Sequence, residues 1–261
     1  MVRPFTDRRR LVFAHRGGSA LAPENTIAAF DNGLALGADG LELDVHLSRD
    51  GRVVVHHDRT LDRTTNLRGA IADTTAGELA RADAGFRFAR DGSFPYRGGG
   101  FGVPRLEDVL ARYRDTLVVV EMKVNRPELA RAVVDVVRRR DAVDRVCLGS
   151  FSLRVLRAAR EAEPAIATSA AREEVRWALY RCWCRWPVAR AAYRCYQVPE
   201  WSGRTHVVYP GFVAAAHRAG LPVQVWTVDD ERDAHRLLGW GVDALITDRP
   251  DVIVPLCKRL P

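Results

Sequence analysis

The sequence predicts a single α/β domain of the TIM (β/α)8 barrel type, on three observations. Short β-branched apolar runs alternate with helical stretches from one end of the 261 residues to the other, the pattern of repeated βα units around a parallel sheet. Polar and ionisable residues gather at the C-terminal ends of those runs, which in such a barrel converge on one mouth. No interior stretch reads as a Ser/Gly linker, and single barrels of about 250 residues are common, so the length does not require a second domain.

In order, the expected strands are Leu11 to His15, Gly40 to His46, Val53 to His57, Leu117 to Lys123, Val146 to Phe151, Ala165 to Ser169, Val223 to Val228 and Ala244 to Thr247. Each is a short run dominated by β-branched or other apolar side chains. The expected helices fall between them: Glu24 to Leu36 behind Pro23, Arg105 to Tyr113, Arg126 to Arg140, Leu153 to Ala162, Glu173 to Trp186, Pro210 to Ala219 and Asp230 to Gly239. Two intervals break the alternation. Only Leu47 to Arg52 separates the second and third runs, too few residues for a crossover helix. Asp50-Gly51 is a hairpin-type dipeptide, so the chain either turns back there or returns in extended form. Residues 61–103 are poor in apolar periodicity and contain Gly98-Gly99-Gly100, and read as a small insertion or lid after the third strand.

The 40 basic residues are 38 Arg and 2 Lys against 33 acids, a formal charge of +7. They are interleaved with acids along the chain rather than blocked, so most read as solvated helix faces, and a nucleic-acid partner is excluded. The 47% hydrophobic and 28% charged residues describe a globular domain, with no run near the roughly 18 apolar residues of a membrane span. Leu11 to Ala14, behind the basic N-terminus, is too short an apolar run for a signal peptide. Cys147, Cys182, Cys184, Cys195 and Cys257 have no metal-ligand spacing, and are expected to be free thiols in a reducing cytoplasm.

Five strand ends supply one candidate site. The first run ends in His15-Arg16, the second carries Glu42 and Asp44, the third ends in His56-His57-Asp58, the fourth holds Glu121 and Lys123, and the seventh holds Trp226. Glu42 and Asp44, two apart on a strand, project to one face, where they are either held by arginine neighbours or gathered on a cation. Glu121 as a third inward carboxylate makes an all-oxygen site for one hard divalent ion, Mg²⁺ or Ca²⁺. Lys123 and Arg16 offset the excess negative charge and offer donors to an anionic ligand, Arg16 with a fork that matches phosphate oxygens. His15 and His57 form the proton-transfer pair, because imidazole changes charge near neutral pH. His46 shares the face of Glu42 and Asp44 and is expected to support the site, whereas His56 faces away from His57 and reads as structural.

At these residues the chain resembles the glycerophosphodiester phosphodiesterase family, related in barrel and site layout to the phosphatidylinositol phospholipases C. The likeness runs from about residue 11 to 252 and rests on an ordered set of motifs: His15-Arg16-Gly17, Pro23-Glu24-Asn25-Thr26 with Phe30 following, the run from Gly37 to Val45, Asp50-Gly51 leading to His57-Asp58, and Leu61-Asp62-Arg63-Thr64-Thr65. Further on come Pro104 with Leu106-Glu107-Asp108-Val109-Leu110, Glu121-Met122-Lys123, Ser150-Phe151, Trp226-Thr227-Val228 and Thr247-Asp248-Arg249-Pro250-Asp251. The resemblance implies a barrel of the phospholipase C-like phosphodiesterase type, with His15 and His57 catalytic, Glu42, Asp44 and Glu121 on the metal, Arg16 and Lys123 on the phosphate, and Trp226 in the substrate pocket. Asp229 and Arg105 depart from the family's pattern, which often has Asn and Thr there. The implied reaction is metal-dependent hydrolysis of a glycerophosphodiester to sn-glycerol 3-phosphate and an alcohol. The rival activity with the same residues is that of a lysophospholipase D acting on lysophospholipids at a membrane surface. A non-catalytic phosphate-ligand-binding barrel would need neither the histidine pair nor the full carboxylate set.

Residues 170–206 hold seven Arg against three Glu and four of the six Trp. Val175, Leu179, Cys182, Trp183 and Trp186 recur at helical spacing, with Arg181 and Arg185 opposite and Pro187 ending the run. One reading is an outer barrel helix packing an apolar stripe on the sheet. The other is peripheral membrane contact, since a basic face beside Trp and Tyr suits anionic lipid headgroups.

Overall fold

The structure is a computed structural model and describes Phe5, residues 10–184, Trp186 and residues 191–259; Arg185 and Pro187 lie outside the described residues. Eight parallel strands form the barrel: β1 (Leu11–His15), β2 (Gly40–Leu47), β4 (Leu117–Met122), β5 (Val146–Gly149), β6 (Ala167–Thr168), β7 (Tyr196–Pro199), β10 (Val223–Trp226) and β11 (Ala244–Thr247). Hydrogen bonding joins them in chain order, with β11 returning to β1. The seam between β6 and β7 is a parallel bridge, Ser169 to Cys195, flanked by Ala170 N–H donating to Cys195 O at 3.0 Å and Arg194 N–H donating to Thr168 O at 2.8 Å.

The third expected strand is corrected in its role. β3 (Val53–Val55) pairs antiparallel with β2 as a hairpin, so it is not one of the barrel staves. Ser48 and Gly51 make the turn: Ser48 N–H donates to Arg52 O at 2.9 Å, and Gly51 takes a φ of 72°, open to glycine at no steric cost. The missing stave is β7, whose four residues Tyr-Gln-Val-Pro are too short a run to announce a strand. A second hairpin, β8 (Trp201–Ser202) with β9 (Thr205–His206), follows it at the mouth.

Helices α1 (Ile27–Ala35), α3 (Leu106–Arg112), α4 (Pro127–Arg139), α5 (Leu153–Ala162), α6 (Arg172–Trp183), α7 (Pro210–Arg218) and α8 (Glu231–Gly239) make the crossovers, a short α2 (Ala76–Ala80) lies in the insertion, and α9 (Pro250–Arg259) packs back on β1. Side-chain caps start four of them: Thr26 accepts from Ala29 N–H, Thr75 from Glu78 N–H, Ser152 from Val155 N–H, and Asp230 from Arg232 and Asp233 N–H. Among the described residues no helix is long and apolar enough to cross a membrane.

The period of two along each strand sorts side chains into two layers. Val12 and Ala14 of β1, Leu41, Leu43 and Val45 of β2, and Val118, Val120 and Met122 of β4 face outward into the main core with the helices. The alternate positions, Phe13, Val119, Cys147, Cys195 and Ile246, fill the barrel interior, where the Phe5 ring stacks on Phe13 with centroids 6.2 Å apart. All five cysteines are free, Cys147 and Cys195 with Sγ atoms 3.7 Å apart. Within residues 61–103, Leu61, Ile71, Ala76, Leu79, Ala84 and Val103 form a separate apolar cluster with Val54 of β3.

Candidate active site

The same alternation that sends Leu41, Leu43 and Val45 outward turns Glu42 and Asp44 into the cavity, and it does the same for Glu121 on β4 and Lys123 just past its end. Strand register then sets neighbours. His15 is paired with Glu42 across β1 and β2, Asp44 with Glu121 across β2 and β4, and Glu121 with Gly149 across β4 and β5. Adjacent strands lie about 4.8 Å apart, so these side chains form a row across the barrel mouth. Gly149 makes the row possible, because a Cβ at that position would collide with Glu121 Oε2.

Each polar group has a defined environment. His15 Nδ1 lies 2.7 Å from Asp248 Oδ1, which also accepts from Ser19 Oγ at 2.5 Å, while His15 Nε2 lies 3.8 Å from Glu42 Oε2. His57 Nδ1 lies 2.6 Å from Asp58 Oδ1, and the Arg63 guanidinium bridges Asp58 to Glu24. Asp44 sits between Lys123 Nζ at 3.3 Å and Arg16 Nε at 3.2 Å and accepts from Asn25 Nδ2 at 2.9 Å. Arg16 Nη1 also reaches Glu24 Oε1 at 3.1 Å, so its fork is steadied by two acids. His46 Nε2 lies 3.0 Å from His57 O, and His56 Nε2 lies 3.1 Å from Thr60 O.

The loop after β1 is held in a demanding conformation. Arg16 and Asn25 take φ values of 50° and 58°. Non-glycine residues in this region cost on the order of 1–3 kcal/mol and persist where the surroundings over-determine them. Here Arg16 N–H donates to Glu42 Oε2 at 3.1 Å, Asn25 N–H donates to Arg16 O at 2.9 Å, and Asp44 N–H donates to Asn25 Oδ1 at 3.2 Å.

The electrostatics separate the row into unlike members. Burial, reinforced by the like charge of Asp44, pushes Glu42 up to about 7. Burial pushes Glu121 up to about 8, against the partial opposition of Lys123. Asp44 is as deeply buried, but Lys123 and Arg16 outweigh burial and hold its carboxyl below the usual range. Burial works against a charged His15, yet Glu42 and Asp248 overcome it and raise its pKa, whereas burial prevails at His57 and lowers it.

These groups form the floor of a cavity of about 800 Å³, toward the upper end of pockets for drug-sized ligands. Its lining includes the edge-to-face pair Phe151 and Trp226, with centroids 6.1 Å apart, together with Gln197 of β7. No residue of 61–103 lines it; the insertion reaches the site through Arg63 on Asp58 and Glu24. The structure thus brings His15, Arg16, Glu42, Asp44, His57, Glu121, Lys123 and Trp226 to one cavity.

The fit of a divalent cation turns on the carboxylates. They are not gathered on a common point: among the described residues no group of three or more His, Cys, Asp or Glu side chains is so arranged. Their chemistry nonetheless suits a hard cation. Among the described residues Glu121 Oε1 is buried with no hydrogen-bond partner, and burial pushes two of the three carboxylates up.

Residue types alone did not assign roles to Asp248, Asp58 and Asn25. Asp248 directly follows the last residue of β11, so the rule that strand ends hold the site covers it. Asp229 holds it in place by accepting from Asp248 N–H at 2.7 Å and Thr247 Oγ1 at 2.9 Å, a task an acid performs well at this unusual position.

Residues 15–252 match the model of the glycerophosphoryl diester phosphodiesterase family. The chain is 34% identical over 260 residues to a glycerophosphodiester phosphodiesterase of Caldanaerobacter subterraneus subsp. tengcongensis, covering 96% of this chain and 99% of that protein. It is similar to the crystal structure of a glycerophosphodiester phosphodiesterase from Agrobacterium tumefaciens, at 30% identity and a TM-score of 0.76 over 94% of this chain and 99% of that one. An Oleispira antarctica phosphodiesterase, solved with the product sn-glycerol-3-phosphate, matches at 28% identity and a TM-score of 0.76 over 96% of this chain and 97% of that one.

Proposed function

The chain belongs to the glycerophosphoryl diester phosphodiesterase family, and on that premise we propose that it hydrolyses glycerophosphodiesters to sn-glycerol 3-phosphate and an alcohol, with a divalent cation and two histidines. The observation that carries the reading is the meeting of His15, His57 and three inward carboxylates on the floor of one cavity. The similarity to a product-bound phosphodiesterase supports the substrate class. We read residues 1–261 as one such domain with 61–103 as an insertion, acting in the cytoplasm.

Glu42, Asp44 and Glu121 would hold the cation, Mg²⁺ or Ca²⁺, whose contribution is Lewis-acid polarisation of a phosphate oxygen. Arg16 and Lys123 donate to the remaining phosphate oxygens, and their ion pairs with Asp44 keep them pointed at the floor. Trp226, braced by Phe151, forms the apolar wall beside the substrate. An oxygen nucleophile bonds to phosphorus as the bond to the leaving alcohol oxygen breaks. One imidazole takes the proton of the nucleophile and the other returns a proton to the departing oxygen, so charge and atoms balance.

The test is phosphorus NMR of glycerophosphocholine, glycerophosphoethanolamine and lysophosphatidylcholine, each incubated with enzyme and Mg²⁺, Ca²⁺ or chelator. Conversion of the first two to glycerol 3-phosphate is expected, and a transient cyclic phosphate signal would identify the glycerol 2-hydroxyl as the nucleophile. Turnover of lysophosphatidylcholine alone would assign the lysophospholipase D activity instead, and turnover of none would overturn the proposal.

Asp248 is a positioning residue in this scheme, acting through His15. Asp248→Asn keeps the shape but removes the charge that helps raise His15. The expected result is a kcat lower by about tenfold or more with KM little changed, and displacement of the His15 limb of the pH–rate profile to lower pH. A variant with reduced kcat and an unmoved profile would assign Asp248 a purely structural role.

A further inference from the structure

Helix α6 covers less of the barrel than its sequence period suggests. Ala178 and Leu179 are buried and Val175 packs on the main core, but the aromatic positions turn away. Trp177, Tyr180 and Trp183 run edge to face along the helix, with successive centroids 6.0 and 5.6 Å apart. Trp177 leaves 66% of its surface exposed and Trp183 55%, followed by Trp186 at 66%. Across the opening, Trp201 of the β8–β9 hairpin is 55% exposed and lies flat on His206 with centroids 4.1 Å apart. Tyr180, Trp183 and Trp201 all line the active-site cavity, so the aromatic ridge is continuous with its rim. Single exposed apolar residues are ordinary on a soluble protein, but a contiguous row of this size marks a contact surface.

The charges around the ridge say what kind of contact. Arg172 and Arg176, exposed on the first two turns of α6, are the charged residues on the outer wall of the cavity. Of the three acids in residues 170–206, Glu174 is taken by Arg160 at 2.8 Å and Glu200 by Arg236, both partners from outside the segment, which leaves Glu173. Indole and phenol rings combine an apolar body with a polar edge and favour the boundary between water and hydrocarbon. Arginines beside them are attracted by anionic headgroups.

We propose that α6 and the β8–β9 hairpin form a docking surface that seats the cavity mouth against an anionic lipid bilayer. The ridge enters the headgroup region while Arg172 and Arg176 meet lipid phosphates. This goes beyond the hydrolytic reading and does not depend on turnover, because it is measured by binding.

The test uses full-length enzyme with vesicles of phosphatidylcholine, alone or mixed with phosphatidylglycerol, in co-sedimentation and tryptophan fluorescence. Binding to the mixed vesicles at low salt is expected, at least tenfold weaker at 0.5 M salt or on phosphatidylcholine alone. Bromine-labelled acyl chains should quench the emission. Trp177→Ala with Trp186→Ala, two exposed positions that do not line the cavity, should weaken binding about tenfold while leaving the melting temperature and the turnover of soluble glycerophosphocholine within twofold of the parent. Absence of binding to the mixed vesicles, equal binding to both compositions, or unchanged binding by the double variant would overturn the proposal. So would a dimer in light scattering that the double variant converts to monomer, since the ridge would then join two copies of this chain.

Discussion

His15→Ala and His57→Ala are each expected to lower kcat on glycerophosphocholine by about 10²–10⁴-fold, the range of a positioned general acid or base. That corresponds to about 3–5 kcal/mol of transition-state stabilisation. KM should change little, since the proposed anchors of the phosphate are Arg16 and Lys123. The two variants should separate on a diester with a nitrophenolate leaving group, which departs without a proton. The variant that lacks the acid should recover most of its rate there, and the variant that lacks the base should not. His15 is tied to Asp248 and paired in register with Glu42, while His57 is tied to Asp58 and lies beyond β3, so the two imidazoles are held by different acids on different segments. Recovery by both variants, or by neither, would show that the two histidines do not divide the proton transfers.

The inner face of the barrel was legible because a strand that only packed a core would have little use for ionisable side chains. Glu42 and Asp44 alternate with Leu41, Leu43 and Val45, and period two alone decides that one set meets helices and the other meets the mouth. The partners of the histidines were less legible. Asp248 stands 233 residues from His15 and becomes its neighbour only because β11 returns to pair with β1, a relation of ring closure that no local pattern contains. β7 escaped because a four-residue strand ending in Pro199 carries almost no periodic signal, and Val53–Val55 took its place in the expected set because a hairpin strand and a stave have the same composition. On α6 the helical period was right and its consequence incomplete. Leu179 packs inward as the stripe implies, but Trp183 faces the cavity rim, because this helix borders the mouth instead of lying wholly along the sheet.

In the proposed scheme, removal of the cation and removal of Glu121 should have opposite effects on stability and the same effect on rate. Chelation is expected to lower turnover by on the order of 10³-fold or more, with recovery on adding back Mg²⁺ or Ca²⁺, because several kcal/mol of phosphate charge stabilisation are lost. Glu121→Gln should be comparably slow at any cation concentration. The melting temperature distinguishes ligand loss from damage. Glu121 ionises at 4.5 ordinarily and near 8 in this fold, so between those values the folded, cation-free chain holds a proton that the unfolded chain releases. Stability of the cation-free parent should therefore fall as pH rises from about 4.5 to 8, and Glu121→Gln should flatten that fall. The cation-free variant is then at least as stable as the parent at pH 8, since a buried carboxylate oxygen without a partner is replaced by a neutral amide. Saturating cation should raise the melting temperature of the parent by binding only the folded state, and should leave the variant nearly unmoved. A cation-free variant less stable than the parent at pH 8, or one stabilised by cation as strongly as the parent, would remove Glu121 from the metal site.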